Sequence, residues 1–311
     1  MFVQRLVSAA VVTLVAAPIA LLAPSASAGP STIADCPAVA IVAARGSEQS
    51  EFLDPTVYGQ DSIYISNGYE SENIRGFLHY AEQRHVERHG TSLLAGVPVL
   101  ALDEGVYPAA LPIPALADDD EKLNVLETTR RAGALLYATP PHVLVTDATR
   151  GLRHSLRTGV DSALPFLASY EAETSCRPDY LLIGYSQGAI VLTAQEQALA
   201  SQGRLAGSLY LGNPLLKPGD TPVAGNPRRG GGMLSPVPTT YLPVPAAGTP
   251  RLNYCVAGDF ACDLTIGAAV DSLGSQGGKH ADYFLGDQRS EHDAYVADVF
   301  AEWIATYNRG A

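Results

Sequence analysis

Continuous apolar runs set the plan of the chain. Residues 38–44, 97–102 and 180–183 are apolar without alternation, the pattern of parallel strands covered on both faces. A fourth run, Ser208-Leu209-Tyr210-Leu211, is stopped by Gly212-Asn213-Pro214. Between the runs the period changes to that of a helix. Ile74, Phe77, Leu78 and Ala81 follow an N-cap at Ser71 and precede a stop at Gly90. Leu152, Leu156, Val160, Leu164 and Leu167 mark a long amphipathic helix with Pro165 placed to bend it. Residues 187–201 form a helix closed by Gly203, and Tyr295, Val296, Val299, Phe300, Trp303 and Ile304 form the stripe of a terminal helix capped by Ser290. Strands alternating with helices predict an α/β fold, a three-layer α/β/α sandwich around a central, mainly parallel sheet, with no linker dividing it. Two stretches stand outside this plan. Residues 112–146 have Pro-rich ends, an acidic start at Asp118-Asp119-Asp120-Glu121 and a helix over 123–137, and residues 218–250 are dense in Gly and Pro and read as a mobile surface loop.

The first residues have a different character. Arg5, an apolar stretch over 6–23 and Ser25-Ala26-Ser27-Ala28 before Gly29 describe a secretory signal peptide cleaved after Ala28. Its removal takes away one basic residue and no acidic one, so the net charge of −12 becomes −13. Such a surface repels nucleic acid and anionic membranes and suits a secreted, soluble monomer acting on uncharged material. Beyond the N-terminus no apolar run is long enough to span a bilayer. The four cysteines, Cys36, Cys176, Cys255 and Cys262, all follow the leader. An even count in an oxidising compartment suggests two disulfides with three possible connectivities. The short separation of Cys255 and Cys262 favours a small closed loop, leaving Cys36 with Cys176. A zinc site has no Cys-x-x-Cys pair to build on.

The candidate chemistry centres on Gly184-Tyr185-Ser186-Gln187-Gly188, placed between an apolar strand and a helix. That context makes a nucleophile elbow: the turn exposes the Ser186 hydroxyl and sets the Gln187 N–H at a helix N-terminus, where an oxyanion is favoured. Arg45-Gly46-Ser47 follows the first strand and brings a second N–H to the carboxyl edge of the sheet, where α/β sites lie. His79, His85 and His89 lie on the first helix; the last two are four apart, but the order is not His-Glu-x-x-His, so they read as a solvated polar face.

Ala44-Arg45-Gly46-Ser47 after an early cysteine, Gly184-Tyr185-Ser186-Gln187-Gly188-Ala189 after Cys176, and the Tyr107-Pro108-Ala109 segment resemble the cutinase family of secreted serine esterases. The resemblance implies a cutinase-like α/β-hydrolase domain over 29–311; the 112–146 stretch departs from it, being longer than the family core needs, and is an insertion that forms either a flap beside Ser186 or a surface excursion with no role. It implies Ser186 as nucleophile and Ser47 and Gln187 as the oxyanion hole. Cys255-Val256-Ala257-Gly258-Asp259-Phe260-Ala261-Cys262 resembles the family loop carrying the catalytic aspartate, Asp259. His280 and His292 both occur as His-x-x-Tyr. His280, in a Gly-rich loop before the terminal helix, matches the family's catalytic histidine, whereas His292 falls inside the first helical turn. One position departs from the family: an acidic residue usual two places after Ser47 stands here one place after it, as Glu48. The expected activity is carboxylic ester hydrolysis without metal or organic cofactor, on lipid-type or medium-chain acyl esters. A polysaccharide acetylesterase is the enzymatic alternative, and an inactive binding protein on the same fold the alternative of another class.

Overall fold

The computed structural model describes residues 36–308, apart from positions 113, 115, 117–120, 122, 229, 230 and 276 and the side chains at 125 and 308. The leader reading of residues 1–28 and the acidic run at 118–120 therefore lie outside the described residues.

Six parallel strands form one sheet: β1 (Val39–Ala44), β2 (Val99–Ala101), β3 (Asp179–Tyr185), β4 (Leu205–Leu211), β5 (Val223–Ala224) and β6 (Arg251–Tyr254), in the order β2-β1-β3-β4-β6-β5. The central strands β1, β3 and β4 are buried along almost their whole length, which explains their unbroken apolar runs. On one face, α1 (Glu72–His89) and α6 (Glu291–Asn308) pack Ile74, Phe77, Leu78, Phe300 and Ile304 against Ile41, Ile183 and Leu209. On the other, α3 (Pro141–Thr174) and α4 (Gln187–Ser201) pack Ala163, Leu167, Val191 and Leu192 against Val42, Leu182 and Tyr210. The three layers are those the alternation predicts. Cys36 bonds to Cys176 and Cys255 to Cys262.

Several local expectations change. Ser71 precedes α1 at φ 70° and makes no side-chain cap; among the described residues its buried hydroxyl has no hydrogen-bond partner. Gly90 does end α1, its left-handed N–H returning to the Val86 carbonyl. The helix expected over 123–137 is α2 (Val125–Ala138), with the Asn124 side chain capping Glu127 N–H. Helix α3 begins at Pro141, so the end of the 112–146 stretch is the first turn of a 34-residue helix. The line of α3 most deeply buried is Ser155, Gly159, Ala163 and Leu167, which shares only Leu167 with the expected stripe and otherwise lies beside it. Small residues there let α3 approach closely; a Cβ at Gly159 would press on Tyr107 and Val191. The terminal stripe holds except for Tyr295, which is exposed. Residues 218–250 are not only surface loop, since β5 within them extends the sheet beside β6. Neither β6 nor α5 (Ile266–Gly274) has an apolar run long enough to be read from sequence.

Candidate active site

The strands β1, β3, β4 and β6 all end at one edge of the sheet, and every side chain of interest stands there. After β3 the chain turns sharply at Ser186, φ 54° and ψ −118°, before α4 begins at Gln187. A non-glycine residue holds that conformation only against a cost of roughly 1–3 kcal/mol, met by the surrounding packing. Two contacts enforce it. Ser186 N–H donates to the Leu211 carbonyl at the end of β4, 2.9 Å away. Gly188 lies so close to the end of β1 that a Cβ there would collide with the Ala44 carbonyl. The start of α4 is thus driven against the Arg45-Gly46-Ser47 turn, and the half-buried Ser186 and Ser47 face the same edge.

The Gln187 side chain is fully enclosed and its orientation is set by hydrogen bonds. Tyr107 OH donates to Gln187 Oε1 over 2.9 Å, and Gln187 Nε2 reaches the Ala110 carbonyl at 3.4 Å. Ser155, from the buried line of α3, accepts Ala110 N–H at 3.1 Å. Arg45 is completely buried and donates to the carbonyls of Leu102 (2.5 Å) and Tyr107 (2.8 Å), with its guanidinium 5.4 Å from the Tyr107 ring centre. Burial lowers its pKa, though an arginine so placed stays charged. Glu48 turns away from the edge: its N–H donates to Ala109 at 2.8 Å and its carboxylate accepts Leu111 N–H.

Across the edge, His280 lies in a short 3-10 turn, Gly278–His280, and is 8% exposed. Its Nδ1 is 2.8 Å from Asp259 Oδ1 and 2.9 Å from Oδ2. Asp259 is wholly buried; Ala261 N–H donates to Oδ1 at 2.7 Å and Tyr283 OH to Oδ2 at 2.7 Å. Burial raises the Tyr283 pKa well above that of a free phenol, so the hydroxyl stays protonated and available as a donor. Three donors thus compensate a carboxylate that water does not reach. With Nδ1–H directed at Asp259, Nε2 carries the free lone pair. The ring is held on two sides: Tyr185 stacks on it at 5.0 Å and donates its hydroxyl to the His280 carbonyl at 2.6 Å, and Phe260 meets it edge-on at 5.0 Å. Gly212, at φ 56°, has no room for a Cβ, which would strike His280 and Asp259.

The structure therefore brings Asp259 and His280 into direct contact. Ser186 stands one residue from the tyrosine stacked on His280, and its N–H is bonded to the residue preceding Gly212. The pair Ser47 and Gln187 borders the same edge. His292 is elsewhere, on α6, bonded through Nε2 to Asn226 at 3.0 Å. His85 and His89 stack on each other on α1 at 4.5 Å, and no metal-ligating cluster of three or more occurs among the described residues. Sequence reasoning names Tyr107 only as part of a motif, without a role, and passes over Tyr283 and Ser155. Tyr283 carried a signal, being the tyrosine of His-x-x-Tyr; nothing in the local pattern of Ser155 points to a neighbour 45 residues earlier.

No protein-family model matches the sequence, and no curated protein does. Among solved structures, the chain is similar to a cutinase-like protein from Cryptococcus sp., 17% identical over 88% of this chain and 96% of that one, with a TM-score of 0.45. A Trichoderma reesei cutinase in complex with a phosphonate inhibitor is 13% identical over 86% of this chain and 77% of that one, with a TM-score of 0.34. What the site can do chemically follows from its own geometry.

Proposed function

We propose that this chain is a serine ester hydrolase that works through an acyl-enzyme, with Ser186 as nucleophile, His280 as general base and acid, and Asp259 as the group that orients and stabilises the imidazole. The observation that carries the reading is His280 Nδ1 held by both oxygens of a buried Asp259, against the tyrosine that immediately precedes Ser186. In the first half-reaction Ser186 Oγ attacks the ester carbonyl carbon and His280 Nε2 takes its proton. The carbonyl oxygen becomes an oxyanion facing the N–H groups of Ser47 and Gln187, with the Ser47 hydroxyl in reach as a further donor. His280 then protonates the leaving alcohol. In the second half water attacks the acyl-enzyme, giving its proton to His280, and Ser186 is released with the acid.

Acyl chains rather than acetyl groups fit the surroundings. Helix α5 lies in sequence between Asp259 and His280, and its apolar residues at i, i+4 and i+7 turn outward: Ile266 is 88% exposed, Val270 37% and Leu273 52%. Leu126, at the start of α2, is also exposed. Leu123 N–H donates to the Gly274 carbonyl at 2.8 Å, which joins the segment before α2 to the end of α5. An apolar rim of this kind suits an ester with a medium or long acyl chain, and the net charge of −12 favours an uncharged one. Helix α2 then contributes to the acyl-binding side of the site. We further read the protein as secreted and monomeric, its residues 1–28 as a removed leader and its two disulfides as products of an oxidising compartment; no helix among the described residues is long and apolar enough to cross a membrane.

Hydrolysis of p-nitrophenyl esters across a series of acyl lengths, with labelling by a fluorophosphonate, tests the reading. The expected result is covalent labelling that vanishes in Ser186→Ala and activity that peaks beyond acetyl. A folded protein that is never labelled and cleaves no ester sinks it, and leaves the binding-protein alternative. A peak at acetyl would move the assignment to a polysaccharide acetylesterase.

A further inference from the structure

The two sides of the site come from opposite ends of the chain, the oxyanion turn from residues 45–47 and the imidazole from residue 280. No covalent link joins them. A line of side-chain amides does. Gly46 N–H donates to Gln49 Oε1 at 3.1 Å, Gln49 Nε2 donates to Asn73 Oδ1 at 2.7 Å, and Asn73 Nδ2 donates to the carbonyls of Ala281 (2.8 Å) and Tyr283 (2.9 Å). We propose that Gln49 and Asn73 are positioning residues that fix the distance between the oxyanion turn and the His280 segment.

The polarity of this line is determined at both ends. Two backbone carbonyls can be satisfied only by the NH2 group of Asn73, so its oxygen must face Gln49. That oxygen requires the NH2 group of Gln49, so the oxygen of Gln49 must face Gly46, where the remaining backbone donor stands. Each amide has one orientation consistent with its neighbours. A carboxylate at either position would set oxygen against oxygen. Asn73 is completely buried, in the first turn of α1, so a lost partner there is not replaced by water and costs the full desolvation of the group. Helix α1 is also in direct contact with the far side of the histidine segment, since a Cβ at Gly76 would meet the Phe284 carbonyl. The helix thus serves as the rigid member and the two amides as its attachments to each side.

Two further features separate this line from ordinary loop packing. It ends on the residue that precedes Ser47 on one side and, on the other, on the residue that follows His280 and on Tyr283 itself; His280 and Tyr283 both contact Asp259. It also runs beside the nucleophile rather than through it, so Ser186 keeps its position when the line is cut. What changes is where the oxyanion donor stands relative to the base, and a misplacement of about 1 Å at this level costs on the order of 100-fold in rate.

The inference rests on the esterase reading, and the experiment separates the two. Gln49→Glu keeps shape and the acceptor for Gly46 but removes the donor to Asn73. With active sites counted by fluorophosphonate titration, so that misfolded protein does not enter, kcat on a p-nitrophenyl ester is expected to fall ~10-fold or more while KM stays within about twofold, the signature of a contact realised in the transition state. A general loosening of the fold would lower the titrated fraction and leave kcat per site unchanged. Wild-type kcat in this variant overturns the proposal. Should the wild-type protein be inactive on every ester, the esterase reading falls, and backbone hydrogen exchange by mass spectrometry decides the relay: faster exchange in Gln49→Glu over both 44–50 and 277–284 upholds it, and a change confined to 44–50 overturns it.

Discussion

Tyr283 and His280 meet on one oxygen: the phenol donates to Asp259 Oδ2 at 2.7 Å while the imidazole Nδ1 stands 2.9 Å from the same atom. The carboxylate is wholly buried, and the phenol is one of its three hydrogen-bond partners, with Ala261 N–H and His280. Tyr283→Phe keeps the packing and removes two hydrogen bonds, the one to the Asp259 carboxylate, worth roughly 1.5–3 kcal/mol, and the one accepted from Val256 N–H at 2.9 Å. Calorimetry is expected to record a loss of stability of that size, and kcat/KM on a p-nitrophenyl ester to fall ~10-fold or more. A variant with full activity would show that Asp259 needs only Ala261 N–H and His280 as partners.

Ser186 occupies a backbone conformation that glycine adopts without strain. Ser186→Gly is therefore expected to abolish fluorophosphonate labelling and at the same time raise the stability by about 1 kcal/mol. An unchanged or lower Tm in thermal unfolding would mean that the elbow stores no strain.

His280 and His292 share a sequence pattern but not a location. His280→Ala removes the proposed base and is expected to lower kcat by several orders of magnitude. His292→Ala loses one surface contact with Asn226 and leaves kcat close to that of the wild type. The reverse result in a steady-state assay would transfer the general base to the terminal helix.

Helices α1 and α6 are clamped by Asp298, which takes Arg84 Nε at 2.6 Å, Arg84 Nη2 at 2.9 Å and Arg88 Nη1 at 2.6 Å. The hydrogen bond from Arg84 holds the Asp298 carboxyl below its ordinary pKa, with Arg88 adding to it. The folded pKa being the lower one, the contribution is present above the unfolded pKa and lost as the pH falls through the folded one. The group is 39% exposed, so solvent screening keeps the contribution within about 1 kcal/mol. Asp298→Asn is expected to lower Tm at neutral pH and to change it little at pH 2, as followed by circular dichroism. An equal loss at both pH values would mean that shape and not charge holds the clamp.

Reduction of the Cys255–Cys262 bridge, which closes a loop of sequence separation 7 around Asp259, is expected to lower ester hydrolysis before the protein unfolds. Replacement of both cysteines by serine, with activity and Tm measured on the same sample, checks it. Retained activity would show that Asp259 is held by its hydrogen bonds alone.

Much of this arrangement is legible before any coordinates. Buried parallel strands announce themselves as unbroken apolar runs, and the elbow needs glycines at fixed offsets, so β1, β3, α4 and Ser186 can be read directly. The Cys-bounded loop and His280 come from the family resemblance, and the structure brings Asp259 and His280 into contact. What does not appear is anything made by contact between distant segments. Arg45 is written as a charged residue in a turn and is in fact enclosed, because its partners are carbonyls of a loop about 60 residues away. Ser155 reads as a polar interruption of a leucine stripe, whereas the small residues of α3 form the contact line. Helix α5 was missed for a related reason. Its apolar residues point to solvent, so its short pattern reports on a surface and not on a core.

The bridge between Cys36 and Cys176 closes a sequence separation of 140 and joins the chain just ahead of β1 to the chain just ahead of β3, at the end of the sheet opposite the site. Its weight falls on the unfolded chain, whose freedom it restricts by on the order of 5 kcal/mol in the loop-entropy view. The short bridge restricts that chain about half as much, by on the order of 2 kcal/mol, and acts also on one carboxylate in the native protein. Stepwise reduction therefore divides the molecule's two debts to oxidation, resistance to unfolding on one side and a working histidine on the other.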